Sequence, residues 1–298
     1  SGHVVHAAPG VYREGAKKDG STMTRVVIPA GVGLVADGDG EHVIEGVISE
    51  GKGHSGPDSV RCVACGTGAW VKGFVLRNGS TAVDANIAAG KSAYGDTGGG
   101  ICGGTAIDCI ITNCYAVRGG GSGSATLIRC VLKECHLETG ATNANGAAAN
   151  TTATGMNGGS AYDSYIGDGT LNLSVVRNCR CYELWHNSGK VRAYNSYVRQ
   201  ENGGVAFTNC VVGVNPRASC VWDEDTTVNT ILTFDANSRP AAGQTLAIDR
   251  GKAEYYVYPD AFAHEQGVAD IAGGQRVYNG AIDIGPGEYD WRGDFAKT

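Results

Sequence analysis

The stretch "GGGICGGTAIDCIITNCYAVRGGG", Gly98 to Gly121, decides the fold, because its closing glycines open a second copy, "GGGSGSATLIRCVLKECHLET", Gly119 to Thr139. Shifted by 21 residues, the copies share the three glycines, Thr105 with Thr126, Ile107 with Ile128, Cys109 with Cys130 and Cys114 with Cys135. A fixed period near 20 marks a stacked-repeat architecture. Inside each copy the period is two: Ile107, Cys109 and Ile111 alternate with Ala106, Asp108 and Ile110. That is strand alternation, with one set of side chains facing in and the other out. Short strands joined by glycine-rich turns then coil, and residues one repeat apart stack at the strand spacing of about 4.8 Å. Two consequences follow. Ile107 and Cys109 lie on Ile128 and Cys130 in the interior. Asp108 meets Arg129 outside, as an opposite-charge cross-strand pair.

Composition fits a narrow solenoid. The 298 residues include 47 glycines but 5 Phe and 2 Met, and a slim interior suits Ala, Val, Ile, Cys and Ser. The net charge is −6 with no basic run, which argues against a nucleic-acid partner. No run of apolar residues reaches the length of a membrane span, and no signal peptide is visible. Eleven cysteines is an odd number. Side chains stacked on adjacent rungs point in parallel, which is poor disulfide geometry, so they read as buried free thiols acting as small hydrophobes. Cys62-x-x-Cys65 and Cys179-x-Cys181 lack a second well-spaced pair with histidines, so zinc is disfavoured.

Along the chain, "HVVHAAPGVY", "TRVVIPAGVGLVADG", "HVIEGVIS" and "VRCVACGTGAWVKGFVLRN" read as strands broken by turns. Residues 139–159 are low in complexity and uncharged, either a long loop or very short rungs. "AYDSYI" (161–166) recurs as "AYNSYV" (193–198), and "VRNC" ends at Cys179 as "FTNC" ends at Cys210. These longer periods read as insertions on one face. The recurrent Asn before Cys predicts a side-chain amide ladder at a repeated corner. From 229 the period fades, and 229–298 reads as last rungs and a cap on the 1–228 body, in one domain.

These segments resemble pectate-lyase-like right-handed parallel β-helix proteins. "HVVHAAPGVYRE" is similar to their opening strand, "NCYAVRGGG" to their Asn-Cys and Gly-Gly-Gly corners, and "AAGQTLAIDRG" with "RVYNGAIDIGPGEYDW" to the C-terminal segment of a bacterial, often surface-anchored group. The resemblance implies an all-β right-handed parallel β-helix, here of about ten rungs and roughly 50 Å. It further implies a secreted or cell-surface location and a polysaccharide partner. Lyases of that superfamily hold uronate carboxylates with calcium and take a proton with Arg or Lys, whereas its hydrolases cluster Asp residues. Neither motif set transfers to this chain. Such proteins also carry an N-terminal helical cap. This sequence reaches its first strand almost at once, so that end is expected to be covered by another chain or to have had its cap removed.

Residue chemistry then singles out "CYELWHNSGKVRAYNSYVRQE", Cys181 to Glu201. Aromatic faces stack on sugar rings, and cations pair with carboxylates. Lys190, Arg192 and Arg199 are the candidate bases, with His186 as alternative. Glu183, Trp185, Tyr194 and Tyr197 are the candidate substrate contacts. The bland alternative is a solvated solenoid face. In "WDEDTT", Asp223 and Asp225 are candidate calcium ligands, against the reading of an acidic turn. Asp37, Asp39 and Glu41 read as a tight turn. "GGGICG" satisfies a nucleotide-binding glycine pattern but opens no helix. His3 and His6 form no evident metal pair, and Asp163 with Asp168 is an unpersuasive hydrolase pair. Three expectations result: a β-helix engaging an acidic polysaccharide, with β-elimination as its catalytic form; a non-catalytic structural or adhesive repeat associating end to end; and, more weakly, a glycoside hydrolase.

Overall fold

The computed structural model describes residues 2–20, 22–50, 54, 56–82, 97–137, 156–157, 160–172, 175–184, 191–201, 203–214, 216–236, 238–267, 269–271, 274, 276 and 282–288. The chain is an all-β parallel β-helix whose contacts divide into two units, residues 1–160 with 166–173, and residues 161–165 with 174–298.

The first unit has three faces. The first sheet runs through Val4–Ala7, Gly33–Ala36, Trp70–Lys72, Thr105–Ile107 and Thr126–Ile128. The other two faces belong to one sheet: the run Gly10–Tyr12, His42–Glu45, Val75–Arg77, Ile110–Thr112 and Val131–Lys133 is joined by Tyr165–Asn172 to the run Thr22–Ile28, Val60–Cys65, Ile101–Cys102, Ser122–Gly123 and Met156–Asn157. Pairing between successive rungs is parallel, except that Lys17–Asp19 joins Thr22–Ile28 antiparallel. The repeat holds residue for residue: Thr105 pairs Thr126, Ile107 pairs Ile128, and Ile110 pairs Val131.

The alternation needs one amendment. Asp108 does not continue a strand. It turns the corner between Thr105–Ile107 and Ile110–Thr112 in the left-handed region, φ 51°, and Arg129 does the same at φ 49°. The same corner recurs at Asn113, Glu134, Asp163, Asn178, Asn195 and Asn209. Asn and Asp tolerate this conformation best, because their short polar side chains bond locally. The residue after each corner points inward and must be small. It is Cys109, Cys114, Cys130, Cys135, Cys179 or Cys210, or Ser164 or Ser196, all fully buried. Bending the chain frees the carbonyl two residues back, and the thiol or hydroxyl donates to it. Cys109 Sγ reaches Ile107 O at 3.2 Å, Cys179 Sγ reaches Arg177 O at 3.1 Å, and Ser196 Oγ reaches Tyr194 O at 2.7 Å. The cysteines are therefore corner donors as well as apolar fillers. All eleven are free.

The Asp108–Arg129 pair forms as a fork, Nε to Oδ1 at 2.6 Å and Nη2 to Oδ2 at 2.9 Å. It lies at the corner rather than on a strand face, and Arg129 is buried. The triple glycines answer to close backbone approach. A Cβ on Gly99 would sit 2.3 Å from Tyr115 O and 2.6 Å from Gly79 O, and one on Gly120 would sit 2.2 Å from His136 O. Nothing larger fits where three carbonyls converge.

In the second unit the first sheet is Ser160–Tyr162, Val175–Arg177, Val191–Tyr194, Val205–Thr208 and Val221–Trp222, beside Arg180–Leu184, Tyr197–Glu201 and Val211–Val212 on the second. Its corners fall at 163, 178, 195 and 209. The 31- and 32-residue periods in the sequence are therefore pairs of short rungs, not single rungs with insertions. Of residues 139–159, only Met156–Asn157 falls within the described backbone, as a strand on Ser122–Gly123.

The described residues of 229–288 are irregular, with short 3-10 turns at Ala253–Tyr255 and Asp260–Glu265. The segment covers the rungs of the second unit. Leu232, Ala247 and Ile284 pack on Tyr197 and Val211, with Phe234 against them. Beneath it lies a buried ionic cluster. Arg276 Nε donates to Asp163 Oδ1 at 3.1 Å, Arg276 also pairs with Glu288, and the Tyr258 hydroxyl donates to Asp163.

Candidate functional site

The predicted residues separate into a covered set and an exposed set. Trp185, His186 and Lys190 lie outside the described residues, and Glu183 is placed only by its backbone, opposite Gln200. Arg192 and Arg199 stand on different sheets, on either side of the Asn195 corner. They do not converge on one substrate atom.

Arg276 of the buried cluster lies 5.3 Å over the Tyr256 ring, and three more arginines pack on aromatic rings, sorted by burial. Arg177 lies 4.2 Å over the Tyr194 ring, which Tyr255 covers from the cap with ring centroids 5.5 Å apart. Arg180 is held between Tyr165 at 4.7 Å and Phe234 at 4.6 Å, and burial lowers its pKa. Tyr197 is 4% exposed inside the cap cluster, and burial pushes its hydroxyl up. Tyr194 and Tyr197 thus serve packing. The third pair differs, for Arg199 is exposed and lies 4.9 Å over Tyr182, itself 39% exposed.

Register explains why this pair is together. Cys181 pairs Val198, and Val198 pairs Val212, so Tyr182, Arg199 and Gly213 follow one another in a single file, the first two exposed and Gly213 buried. At Gly213 the file has no side chain. A Cβ there would meet Arg199 O at 2.6 Å and the Ile231 side chain at 3.0 Å. Gly213 is therefore buried, covered by the Arg199 backbone and by Ile231, which is itself exposed. Tyr182 was named in the sequence stretch but not among the candidates, and Gly213 carried no signal readable without the register.

The acidic turn is occupied by its own chain. Asp223 accepts from Asn209 N at 3.1 Å and from Thr226 Oγ1 at 2.6 Å, while Asp225 pairs with Lys252. Among the described residues no three His, Cys, Asp or Glu side chains gather as a metal-binding group. Glu201 is also structural. It accepts from the backbone of Gly203 and Arg217 and from Cys220 Sγ at 2.8 Å, and burial and then Glu201 push that thiol up to about 11. No helix is long and apolar enough to cross a membrane among the described residues.

Comparison with protein-family models, curated proteins and solved structures finds no match for this chain.

Proposed function

We propose that the chain is a non-cleaving scaffold that binds an acidic polysaccharide at the exposed Tyr182–Arg199 pair. The observation that supports this most is the solvent-facing Arg199–Tyr182 pair, with exposed Ile231 near it. The guanidinium pairs a uronate carboxylate in a fork, and the tyrosine offers an aromatic face. The separation of Arg192 from Arg199 favours binding over β-elimination. Its pectate-lyase-like resemblance and secreted or surface setting belong to the same reading.

The test is titration of the protein with a panel of uronate polymers, with and without calcium, while following absorbance of an unsaturated product. Binding to at least one polymer that weakens with salt is expected. Arg199→Ala weakens it about tenfold, the loss of roughly one charge-assisted hydrogen bond, and Arg177→Ala leaves it nearly unchanged once folding is confirmed. No binding across the panel, or equal binding by Arg199→Ala, overturns the proposal. Growth of unsaturated product would replace it with the lyase reading.

A further inference from the structure

Side chains at and beside the corners bond from rung to rung. Arg129 donates to Asp108, Asn78 to Glu45, Asn113 to Asn78, Asn195 to Asn178 and Asn209 to Asn195. Asp163 and Asn178 break the pattern. Their backbones are placed as the others are: Asp163 N donates to Arg177 O at 3.0 Å, as Asn178 N donates to Tyr194 O at 3.0 Å. Yet Asn178 Nδ2 is buried and finds no partner among the described residues. Asp163 instead accepts from the Tyr258 hydroxyl and, at 3.1 Å, from Arg276 Nε. A buried donor left unmade is costly. Docking of the cap therefore leaves the ladder of the second unit one bond short.

The cap also covers chemistry that is exposed elsewhere. Arg177 lies on Tyr194 and Arg180 on Tyr165, as Arg199 lies on Tyr182. Tyr255 covers the Tyr194 ring and its carbonyl accepts from Arg177 Nη1 at 2.9 Å, while Phe234 packs on Arg180 and Tyr197. The described residues of 229–288 add no strand to the sheets. They are held by side chains, by an apolar contact of Leu232, Ala247 and Ile284 on Tyr197 and Val211, and by single backbone bonds such as Gly285 N to Asn195 O at 3.1 Å.

We infer that the cap is a latch that opens while the rungs beneath stay folded, with Asp163 as its two-position catch. Closed, Asp163 holds Tyr258 and Arg276. Open, it accepts from Asn178 Nδ2 and completes the ladder. Opening gives up the apolar contact, so the open form is the minor one. It bares the Arg177–Tyr194 and Arg180–Tyr165 pairs. The inference does not depend on what Arg199 and Tyr182 bind.

Native-state hydrogen exchange of the full chain, joined to phenylglyoxal labelling of arginines read by peptide mass, tests it. In the wild type the amides of Ala253–Tyr255 and Asp260–Glu265 are expected to exchange through an opening that leaves Val191–Tyr194 and Val205–Thr208 protected. Arg177 and Arg180 take the label only as fast as that opening, whereas exposed Arg199 takes it at once. Tyr258→Phe removes one bond to a charged acceptor and raises the opening about tenfold, with the strands unchanged. Asn178→Gly keeps the left-handed corner and removes the competing donor. Its lost bond to Asn195 is missing from both forms alike, so the opening becomes several-fold rarer, the reverse of what a merely structural Asn178 predicts. Circular dichroism checks that both variants fold; if Asn178→Gly does not, the other two proteins decide. Exchange of cap and strands in one step overturns the inference. So does a Tyr258→Phe variant that speeds both equally, or a folded Asn178→Gly variant whose cap opens as often as the wild type or more often.

Discussion

One asparagine shows what a corner requires. Asn195 is buried with φ 46°. Its Nδ2 donates to Asn178 Oδ1 at 3.0 Å and to Lys252 O at 2.8 Å, while its Oδ1 accepts from Asn209 Nδ2 at 2.8 Å and Lys252 N at 3.0 Å. The ladder has a polarity, each later rung donating to the earlier one. In the first unit it ends on an acid, as Asn113 donates to Asn78 and Asn78 to Glu45. In the second, Asn178 Nδ2 finds no partner among the described residues, because the next corner side chain, Asp163, is turned to Arg276 and Tyr258. Asn195→Ala is expected to destabilise the fold by about 3–5 kcal/mol, since it removes four hydrogen bonds, two of them between buried side chains. Asn195→Gly should cost about 1 kcal/mol less, because glycine accepts the left-handed backbone without penalty. Urea denaturation of the two variants measures both. The ladder was legible from the repeated Asn-Cys pairs. That the Asn is the bend itself was not, because period-two alternation reads straight through a one-residue corner.

At the level of strands and turns, the tightest constraint is the glycine triplet. Gly99 is held among backbone carbonyls of three neighbouring segments, so a methyl group there cannot be relieved by a rotamer change. Gly99→Ala is expected to cost several kcal/mol, at the upper end of overpacking penalties. Gly68→Ala, in open space with φ 70°, should cost only about 1 kcal/mol of backbone strain. Thermal denaturation ranks the two. The 21-residue rung was readable because consecutive copies share glycines and cysteines at fixed offsets. The shorter rungs of the second unit were not. Spacings of 15, 17 and 14 residues between its corners at 163, 178, 195 and 209 blur any single period, and alternate rungs resemble each other more than neighbours do. The candidate site suffered likewise. Arginine and tyrosine were visible as chemistry, but which of them the cap covers depends on contacts such as Tyr197 with Phe234 at 5.1 Å, far apart in sequence.

On the scale of the whole molecule, the ionic cluster beneath the cap makes stability depend on pH. Burial pushes the Glu288 carboxyl up to about 8, with Asp283 and Asp163 adding to burial and Arg276 opposing it. Asp270 and Arg239 complete the charged groups around it, since Glu288 N donates to Asp270 and Arg239 pairs with Asp270. The folded chain therefore holds this proton more tightly than the unfolded chain. The sign follows: the stability it confers is complete below about pH 4.5, the ordinary value, and is lost as pH rises to about 8. Denaturation series at pH 5, 6.5 and 8 should show stability falling with pH, with a flatter slope in Glu288→Gln. An equal slope in the variant would place the proton elsewhere.

The corner cysteines carry one more implication. Nine of the eleven thiols are buried, and Cys65 and Cys102 are only partly covered. An alkylating reagent added to the native protein thus meets two sulfurs at first, and the rest only as their rungs part. Because Cys109, Cys114, Cys130, Cys135, Cys179 and Cys210 each mark a particular circuit, the order in which they acquire the label would chart, circuit by circuit, where this coil begins to unwind.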